Sequence, residues 1–202
     1  MDIRLRVSLP TLLTLIRLVV SPIILPFFLV CFLPYNSFII NSCLALLFVM
    51  LGLTDFFDGY LARRLRQETV LGRLLDPIAD KFLLYTTLVA LLAAHKIHFF
   101  WVIIFIGREF FIMGLRLVAL EYMLMIHVSR LGKIKTLFQM LYLFFAILNP
   151  YHYMRLCDAL YWNGIEYVLL SCALILTIIS AVQYYRFFIT EYLRKTQQSW
   201  RL

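Results

Sequence analysis

The chain has 202 residues, of which 63% are hydrophobic and 15% are charged, and its formal net charge is +8. A soluble globular domain has an apolar share nearer about one half, so this composition excludes a soluble fold and indicates an integral membrane protein. The excess cations are spread along predicted helix ends and suit anionic membrane lipids. Nucleic acid is not an expected partner, because the chain has no soluble domain to dock on a duplex.

Six apolar stretches are each long enough to cross about 30 Å of hydrocarbon. They cover residues 8–33, 37–57, 75–95, 98–121, 132–149 and 164–188. Lipid leaves no backbone group unsatisfied, and the stretches lack the alternation of barrel strands, so each is predicted as a helix. The expected fold class is an all-α integral membrane protein with six transmembrane helices. One domain over residues 1–202 is expected, since no linker or repeat interrupts the chain.

The positions of the cations predict the orientation in the membrane. Thirteen Lys and Arg residues fall at the termini and in the turns after the second and fourth helices, whereas the opposite loops contain Lys96 and Arg155. By the positive-inside rule, both termini are cytoplasmic. His95 and His98 lie beside Lys96 without carboxylates, so a solvated outer loop is expected there and not a metal site.

Four aspartates lie close together in this apolar sequence. Asp55 and Asp58 are three residues apart at the end of the second helix, and Asp76 and Asp80 are four apart at the start of the third. Each pair therefore shares one helix face. A carboxylate near the bilayer core costs roughly 2.5–3.5 kcal/mol, so four of them need a strongly positive partner. Two facing pairs would form a cup of four carboxylates.

The partner that this cup predicts is a pair of Mg²⁺ ions. At an effective dielectric near 20, two like charges about 4 Å apart repel by roughly 4 kcal/mol, so an empty cup would take up protons or splay. Hard oxygen ligands with room for phosphate oxygens suit Mg²⁺, and Mn²⁺ could take its place. The lack of histidine in the set argues against zinc.

A purely structural interpretation explains these residues one at a time. Asp76 before Pro77 could be a helix N-cap, and Asp55 or Asp58 could pair with an arginine of the following turn. Neither idea explains why the four acids occur together with small residues that let a ligand approach the backbone closely. Those small residues are Gly59, Ala62 and Gly72.

These residues combine into one long motif: Asp55, Asp58, Gly59, Ala62, Arg63, Gly72, Asp76 and Asp80. At every position and spacing the motif resembles the signature of the CDP-alcohol phosphatidyltransferases, integral membrane enzymes of phospholipid synthesis. The resemblance implies a six-helix fold, usually a homodimer, with a dinuclear magnesium site open to the cytoplasm. It also implies a CDP-linked substrate whose pyrophosphate lies on the metals.

The resemblance also implies individual roles. Asp55 and Asp76 look like ligands of both ions, Asp58 looks like a ligand of one, and Asp80 looks like both a ligand and the catalytic base. That base takes the hydroxyl proton as the new bond forms. The implied contacts to CDP-diacylglycerol are Gly59, Ala62, Arg63, Thr69 and Gly72.

Cationic residues in the second half of the chain give information on the identity of the acceptor alcohol. Arg108 and Arg116 lie eight residues apart in the apolar fourth helix, and their helical neighbours offer no acid, so both need a distant anion. Lys133 and Lys135 open the fifth helix beyond a turn with Gly132 and could converge with the arginines. Such a cluster suits a phosphate dianion. Alternatively, the arginines pair with the aspartates while the lysines reach lipid headgroups.

Three further stretches resemble bacterial members of the family that use glycerol phosphate. They are residues 10–17, residues 107–109 with Arg116, and residues 132–136 with Gln139 and Met140. The resemblance implies CDP-diacylglycerol as donor and sn-glycerol 3-phosphate as acceptor, giving phosphatidylglycerol phosphate and CMP in the inner membrane. It implies that Arg108, Arg116, Lys133 and Lys135 hold the acceptor. Gly107 departs from the pattern, where alanine is expected.

Other functions remain open at this point. The same chemistry could use another acceptor, such as phosphatidylglycerol, as in a cardiolipin synthase, or inositol phosphate. Arg108 and Arg116 should be essential for a phosphate-bearing acceptor and dispensable for a neutral alcohol. A different class is a cation or proton transporter whose acids form the path. Transporters usually place such acids near mid-bilayer, whereas Asp55 lies about 26 Å past the outer start of its helix, which favours the enzyme.

Overall fold

The computed structural model describes the backbone of residues 22–64, 70–122, 130–149 and 157–199, and the side chains of 22–53, 81–122, 131–132, 134–149 and 161–195. Throughout these ranges the regular structure is helical, as predicted. Helix α1 covers residues 22–32 and runs into a 3-10 turn, Leu33–Tyr35. It is followed by α2 (Phe38–Arg64), α3 (Val70–Ala93), α4 (Phe99–Glu121), α5 (Arg130–Leu148) and α6 (Cys157–Ser199). Residues 8–21 of the first predicted helix lie outside the described part of the chain.

Several helices are longer than the apolar stretches that predicted them. Helix α2 continues to Arg64, α3 already begins at Val70, and α6 extends from Cys157 to Ser199. The hydropathy of the sequence identifies the residues that can lie in the hydrocarbon of the membrane, whereas the backbone hydrogen bonds of a helix can continue into the polar region beyond it. One structural interpretation is therefore wrong: Asp76 is the seventh residue of α3 and not an N-cap.

One helix in the described residues is long and apolar enough by itself to cross a bilayer, the segment Tyr161–Lys195 of α6. Shorter apolar helical segments are Pro22–Tyr35, Phe38–Leu53, Lys81–Ala93 and Ile134–Leu148. Large apolar side chains, among them Ile39, Phe110 and Leu120, are exposed along the helices. Extensive exposed apolar surface indicates contact with lipid or another chain. Six spans stay a prediction.

The described helices divide into two compact units. One unit extends to Ile97 and includes Leu143–Asn163, and the other comprises His98–Tyr142 and the chain from Gly164 onward. In the first unit, α2 and α3 form a helical hairpin that is closely packed at Gly52, where an added Cβ would lie 3.9 Å from Leu83 Cδ2. Its fully buried apolar residues include Leu25, Leu29, Leu88, Leu91, Leu143 and Ile147.

Lys96 was expected in a solvated outer loop, and that expectation is wrong. The residue is 2% exposed, and its Nζ donates to the carbonyl oxygens of Ala146, at 3.4 Å, and Asn149. These carbonyls end α5, where a helix has unpaired acceptors and a partial negative charge. The neighbouring His95 has a left-handed backbone, with φ 56°. His95 and His98 are both exposed, as predicted.

Asn41 and Asn163, from two other helices, extend this polar cluster around Asn149 at the end of α5. Asn41 Nδ2 of α2 donates to the Asn149 carbonyl oxygen at 3.3 Å. Asn149 Nδ2 in turn donates to Asn163 Oδ1 of α6 at 2.8 Å. The last carbonyls of α5 are thus bonded by side chains from α2 and from the turn between α3 and α4, which stabilises the first unit.

The second unit has a core with a high share of polar side chains. Its buried apolar residues include Phe105, Ile112, Ala119, Tyr142 and Ala173, and its buried polar residues are Lys135, Gln139, Glu166, Thr177 and Ser180. At one end, Lys195 Nζ donates to the Tyr122 carbonyl oxygen at 2.5 Å. A side-chain hydrogen bond with Tyr192 raises the pKa of Tyr122 above its ordinary value.

Candidate active site

The aspartate motif lies on the α2–α3 hairpin of the first unit. Asp55 and Asp58 belong to the last three turns of α2, and Asp76 and Asp80 to the first half of α3. Asp55 follows Gly52 by three residues, and Asp80 precedes Leu83 by three. Both positions therefore lie about one helical turn from the close contact of the two helices. Their side chains fall outside the described part.

The α2–α3 hairpin carries the type of donor group that the predicted pair of Mg²⁺ ions needs, and it places these donors on two neighbouring helices. Four carboxylates offer hard oxygen ligands from two helices that are packed against each other, and oxygen is the ligand that Mg²⁺ prefers. The predicted donor-substrate contacts Gly59, Ala62 and Arg63 are in α2, and Gly72 is in α3. Thr69, the remaining predicted contact, lies outside the described residues.

The second unit contains a charged cluster that joins α4 to α5. Arg108 Nη1 donates to Glu109 Oε1 at 2.6 Å, and Lys135 Nζ donates to the same oxygen. The side chains of Lys135 and Glu109 are 5% and 12% exposed, and that of Arg108 is 13% exposed. One carboxylate oxygen thus holds two cations from different helices in a largely dry environment.

A third helix fixes the other end of the guanidinium group. Arg108 Nη2 donates to Ser180 Oγ of α6 at 2.9 Å, and Ser180 Oγ donates to the Thr177 carbonyl oxygen at 3.0 Å. Arg108 is therefore bonded at one terminal nitrogen by a carboxylate and at the other by a hydroxyl. Because a guanidinium group is planar and rigid, two such bonds set its orientation.

Glu109 is a residue of this cluster that the sequence interpretation missed. Arg108 was expected to need a distant anion, but its anion is the adjacent residue of the same helix. At an effective dielectric near 20, charges about 4 Å apart interact by roughly 4 kcal/mol. Glu109 therefore offsets much of the repulsion between Arg108 and Lys135. The cluster of these three groups keeps a formal charge of +1, which is attractive to an anion.

The other two predicted acceptor residues are placed differently. Arg116 is exposed, two turns beyond Arg108 on α4. Lys133 belongs to the first turn of α5, which begins at Arg130, and its side chain falls outside the described part. Of the four predicted cations, the structure brings Arg108 and Lys135 together. Ser180 was not predicted, because a serine in an apolar helix has no distinguishing pattern.

Comparison with known families decides the assignment of the chain. A family model described as CDP-alcohol phosphatidyltransferase matches residues 7–179. The chain belongs to this family. The family assignment predicted from the aspartate motif is therefore confirmed. The matched residues include the motif on α2 and α3 and all four predicted acceptor cations on α4 and α5 of this phosphatidyltransferase, and they end one residue before Ser180.

Individual members of the family are similar to the chain over most of its length. It is 34% identical to a CDP-diacylglycerol-glycerol-3-phosphate 3-phosphatidyltransferase of Rickettsia felis over 179 residues, 89% of this chain and 94% of the relative. A protein of the same name from Sodalis glossinidius is 37% identical over 186 residues, 89% of this chain and 93% of the relative. The one from Wigglesworthia glossinidia brevipalpis is 40% identical over 150 residues, 69% and 76% respectively.

Proposed function

We propose that this phosphatidyltransferase transfers a phosphatidyl group from CDP-diacylglycerol to sn-glycerol 3-phosphate, giving phosphatidylglycerol phosphate and CMP. The observation that carries the proposal is the likeness to relatives named for this reaction, at 34–40% identity over most of the chain. Within the family, the acceptor distinguishes one reaction from another. The buried pair of Arg108 and Lys135 supports a phosphate-bearing acceptor, since a neutral alcohol gives no reason to bury two cations.

Asp55, Asp58, Asp76 and Asp80 are proposed to hold two Mg²⁺ ions, for which Mn²⁺ can substitute. When bound, the ions neutralise charge on the pyrophosphate and on the leaving CMP. The proposed contacts of CDP-diacylglycerol are Gly59, Ala62, Arg63, Thr69 and Gly72. The three small residues of this set allow a close approach to the backbone, and Arg63 offers charge to a phosphate.

Asp80 is proposed to act as the general base of the reaction. The acceptor hydroxyl attacks the phosphorus of the donor, the bond from that phosphorus to the CMP oxygen breaks, and the hydroxyl proton passes to the Asp80 carboxylate. Phosphoryl transfer needs little covalent chemistry from the protein, so the remaining residues act by positioning. Arg108, Arg116, Lys133 and Lys135 are proposed to bind the phosphate of the acceptor.

The membrane arrangement follows from the same proposal. We place the protein in the inner membrane with six spans, cytoplasmic termini and a cytoplasmic active site, as a homodimer. Support comes from the cation distribution, the apolar segments of α1, α2, α3, α5 and α6, and the many exposed apolar side chains, which face lipid or a second copy. The water-soluble acceptor is then available on the side where the cations lie.

Release of CMP by the purified protein tests the proposed function. With Mg²⁺ and CDP-diacylglycerol, we expect CMP with glycerol 3-phosphate and none with phosphatidylglycerol or inositol phosphate. Asp80→Asn should abolish release, whereas Asp158→Asn, the same change outside the motif, should not. Chelation should stop the reaction, and added Mg²⁺ should restore it. Release with another acceptor would contradict the assigned acceptor, and no release with any of them would contradict the proposed enzyme class.

A further inference from the structure

We infer that Glu109 is a positioning residue for the acceptor: its carboxylate orients Arg108 and Lys135 so that both can bind the acceptor phosphate. The inference rests on the proposed function and adds an acidic residue to a site expected to consist of cations. It starts from one observation, that Glu109 Oε1 accepts hydrogen bonds from both Arg108 Nη1 and Lys135 Nζ.

The geometry explains why an acid helps an anion to bind. Two cations on different helices repel each other, and without an anion between them they would turn apart. Because both donors bond one oxygen, they are at most about 6 Å apart, a separation that a single phosphate group can span. The carboxylate thus keeps the two cations close together before the acceptor arrives.

The surroundings show that this arrangement is held by more than one contact. Ser180 Oγ accepts from Arg108 Nη2 at 2.9 Å, and Ser180 is 1% exposed. Lys135 is 4% exposed, so its long side chain has little freedom to reorient. A preorganised cluster binds its ligand better, since less ordering is needed on binding.

An opposite role for Glu109 makes a contrary prediction. If Glu109 simply occupied the place of the phosphate, the acceptor would have to displace it, and removing its charge would tighten acceptor binding. If Glu109 positions the cations, removing its charge raises the formal charge of the cluster from +1 to +2 but loses the orientation of both donors. Glu109 and Arg108 are adjacent in α4, so the carboxylate stays beside the guanidinium group.

The test measures steady-state kinetics of the intact protein with Glu109→Gln, a substitution of similar size. We expect the KM for glycerol 3-phosphate to rise about tenfold or more, while the KM for CDP-diacylglycerol and the kcat at saturating acceptor change less than about threefold. Glu109→Asp keeps the charge and should recover part of the affinity. The matched control is Glu121→Gln, the same change at an exposed position of α4, which should leave all constants unchanged.

A double-variant comparison shows through which residue Glu109 acts. If Glu109 works by holding Lys135, the combination of Glu109→Gln and Lys135→Met should raise the acceptor KM by clearly less than the product of the two single effects. A product of independent effects would overturn the inference. It would also be overturned by a lower acceptor KM in Glu109→Gln, or by loss of thermal stability with unchanged KM.

Failure of the proposed function is recognised separately in the same experiment. The unaltered protein is assayed first against the panel of acceptors. If it uses another phosphate-bearing acceptor, the assigned acceptor is wrong, and the KM comparison is made with that acceptor and still tests Glu109. If it uses phosphatidylglycerol, which has no phosphate monoester, or none of the panel, both the proposal and the role of Glu109 are refuted. If Glu109→Gln does not fold, the comparison of Glu109→Asp with the unaltered protein decides.

Discussion

Replacing Lys96 by methionine removes the buried cation at the end of α5 and keeps most of the apolar length of the side chain. Lys96 Nζ donates to the carbonyl oxygens of Ala146 and Asn149, so the substitution takes a charged donor from two of the last acceptors of the helix. The partial negative charge of the helix end also loses its counter-charge. We expect the first unit to become less stable.

The magnitude follows from the partners that remain. A hydrogen bond to a charged group contributes about 1.5–3 kcal/mol, and the bond to Ala146, at 3.4 Å, is long and counts little. The Asn149 carbonyl oxygen keeps a donor in Asn41 Nδ2, at 3.3 Å, which limits the loss. The uncharged methionine side chain also avoids the desolvation penalty of burying a charged group. The expected destabilisation is therefore in the lower part of this range, about 1.5–2 kcal/mol.

Lys195 offers a matched control for this substitution. Its Nζ also donates to a carbonyl oxygen at a helix end, that of Tyr122 after α4, at 2.5 Å, but Lys195 is exposed. Water can replace an exposed donor, so Lys195→Met should cost less than about 1 kcal/mol. The two variants make the same chemical change at a helix end and differ mainly in burial.

Thermal unfolding of the detergent-solubilised protein, followed by tryptophan fluorescence, measures both effects. For a chain of this size, 1 kcal/mol shifts the Tm by about 2–4 °C, so Lys96→Met should lower it by about 3–8 °C and Lys195→Met by less than about 3 °C. Equal shifts for the two variants would refute the reasoning from burial. An unchanged Tm for Lys96→Met would refute the role of the cation at the end of α5.

Two further substitutions test the packing of the second unit. Gly107→Ala should stabilise α4 by about 0.5–1 kcal/mol, because alanine has a higher helix propensity than glycine and a Cβ added at this position has no atom within 4 Å. A lower Tm for this variant would mean that lipid or a second copy packs closely against Gly107. Gln139 is 2% exposed, and its Nε2 lacks a hydrogen-bond partner within the described residues. Gln139→Met removes this buried unpaired donor and should therefore raise the free energy of unfolding by about 1 kcal/mol in the absence of substrate. A lower Tm for Gln139→Met would show that the amide has a partner beyond them.

The type and order of the helices could be predicted, whereas their ends could not. A backbone in lipid has few ways to satisfy its polar groups, so long apolar runs lead directly to helices. The ends depend on where hydrogen bonding stops, and in α2 that is Arg64, seven residues after the last residue of the predicted run. The burial of Lys96 could not be predicted either, because its partners at the end of α5 are 50 and 53 positions away in the chain.

The candidate site was predictable to the extent that its residues form local patterns. The aspartates have a spacing of three and four within two helices, which sequence alone reveals. Glu109 could not be predicted as a partner of Arg108, because adjacent residues point about 100° apart on a helix, whereas helical periodicity pairs Arg108 with neighbours three and four positions away. Glu109 also contacts Lys135, which lies 26 positions away in the chain and gives no local signal. Ser180, at 72 positions from Arg108, has no local signal.

The partners of the buried cations separate stability from function in this protein. Lys96 donates to backbone carbonyls at the end of helix α5, and neither Lys96 nor these carbonyls belong to the residues proposed to bind a substrate. Arg108 and Lys135 instead meet at a side-chain carboxylate, and both are proposed to bind the acceptor phosphate, so a change at this carboxylate acts on acceptor binding. Substitution of Lys96 should therefore change the Tm with little effect on acceptor KM. Substitution of Glu109 should raise the acceptor KM and also lower the Tm, since Arg108 and Lys135 then repel each other in a buried site. A Lys96 variant that raised the acceptor KM as much as Glu109→Gln does would contradict this division.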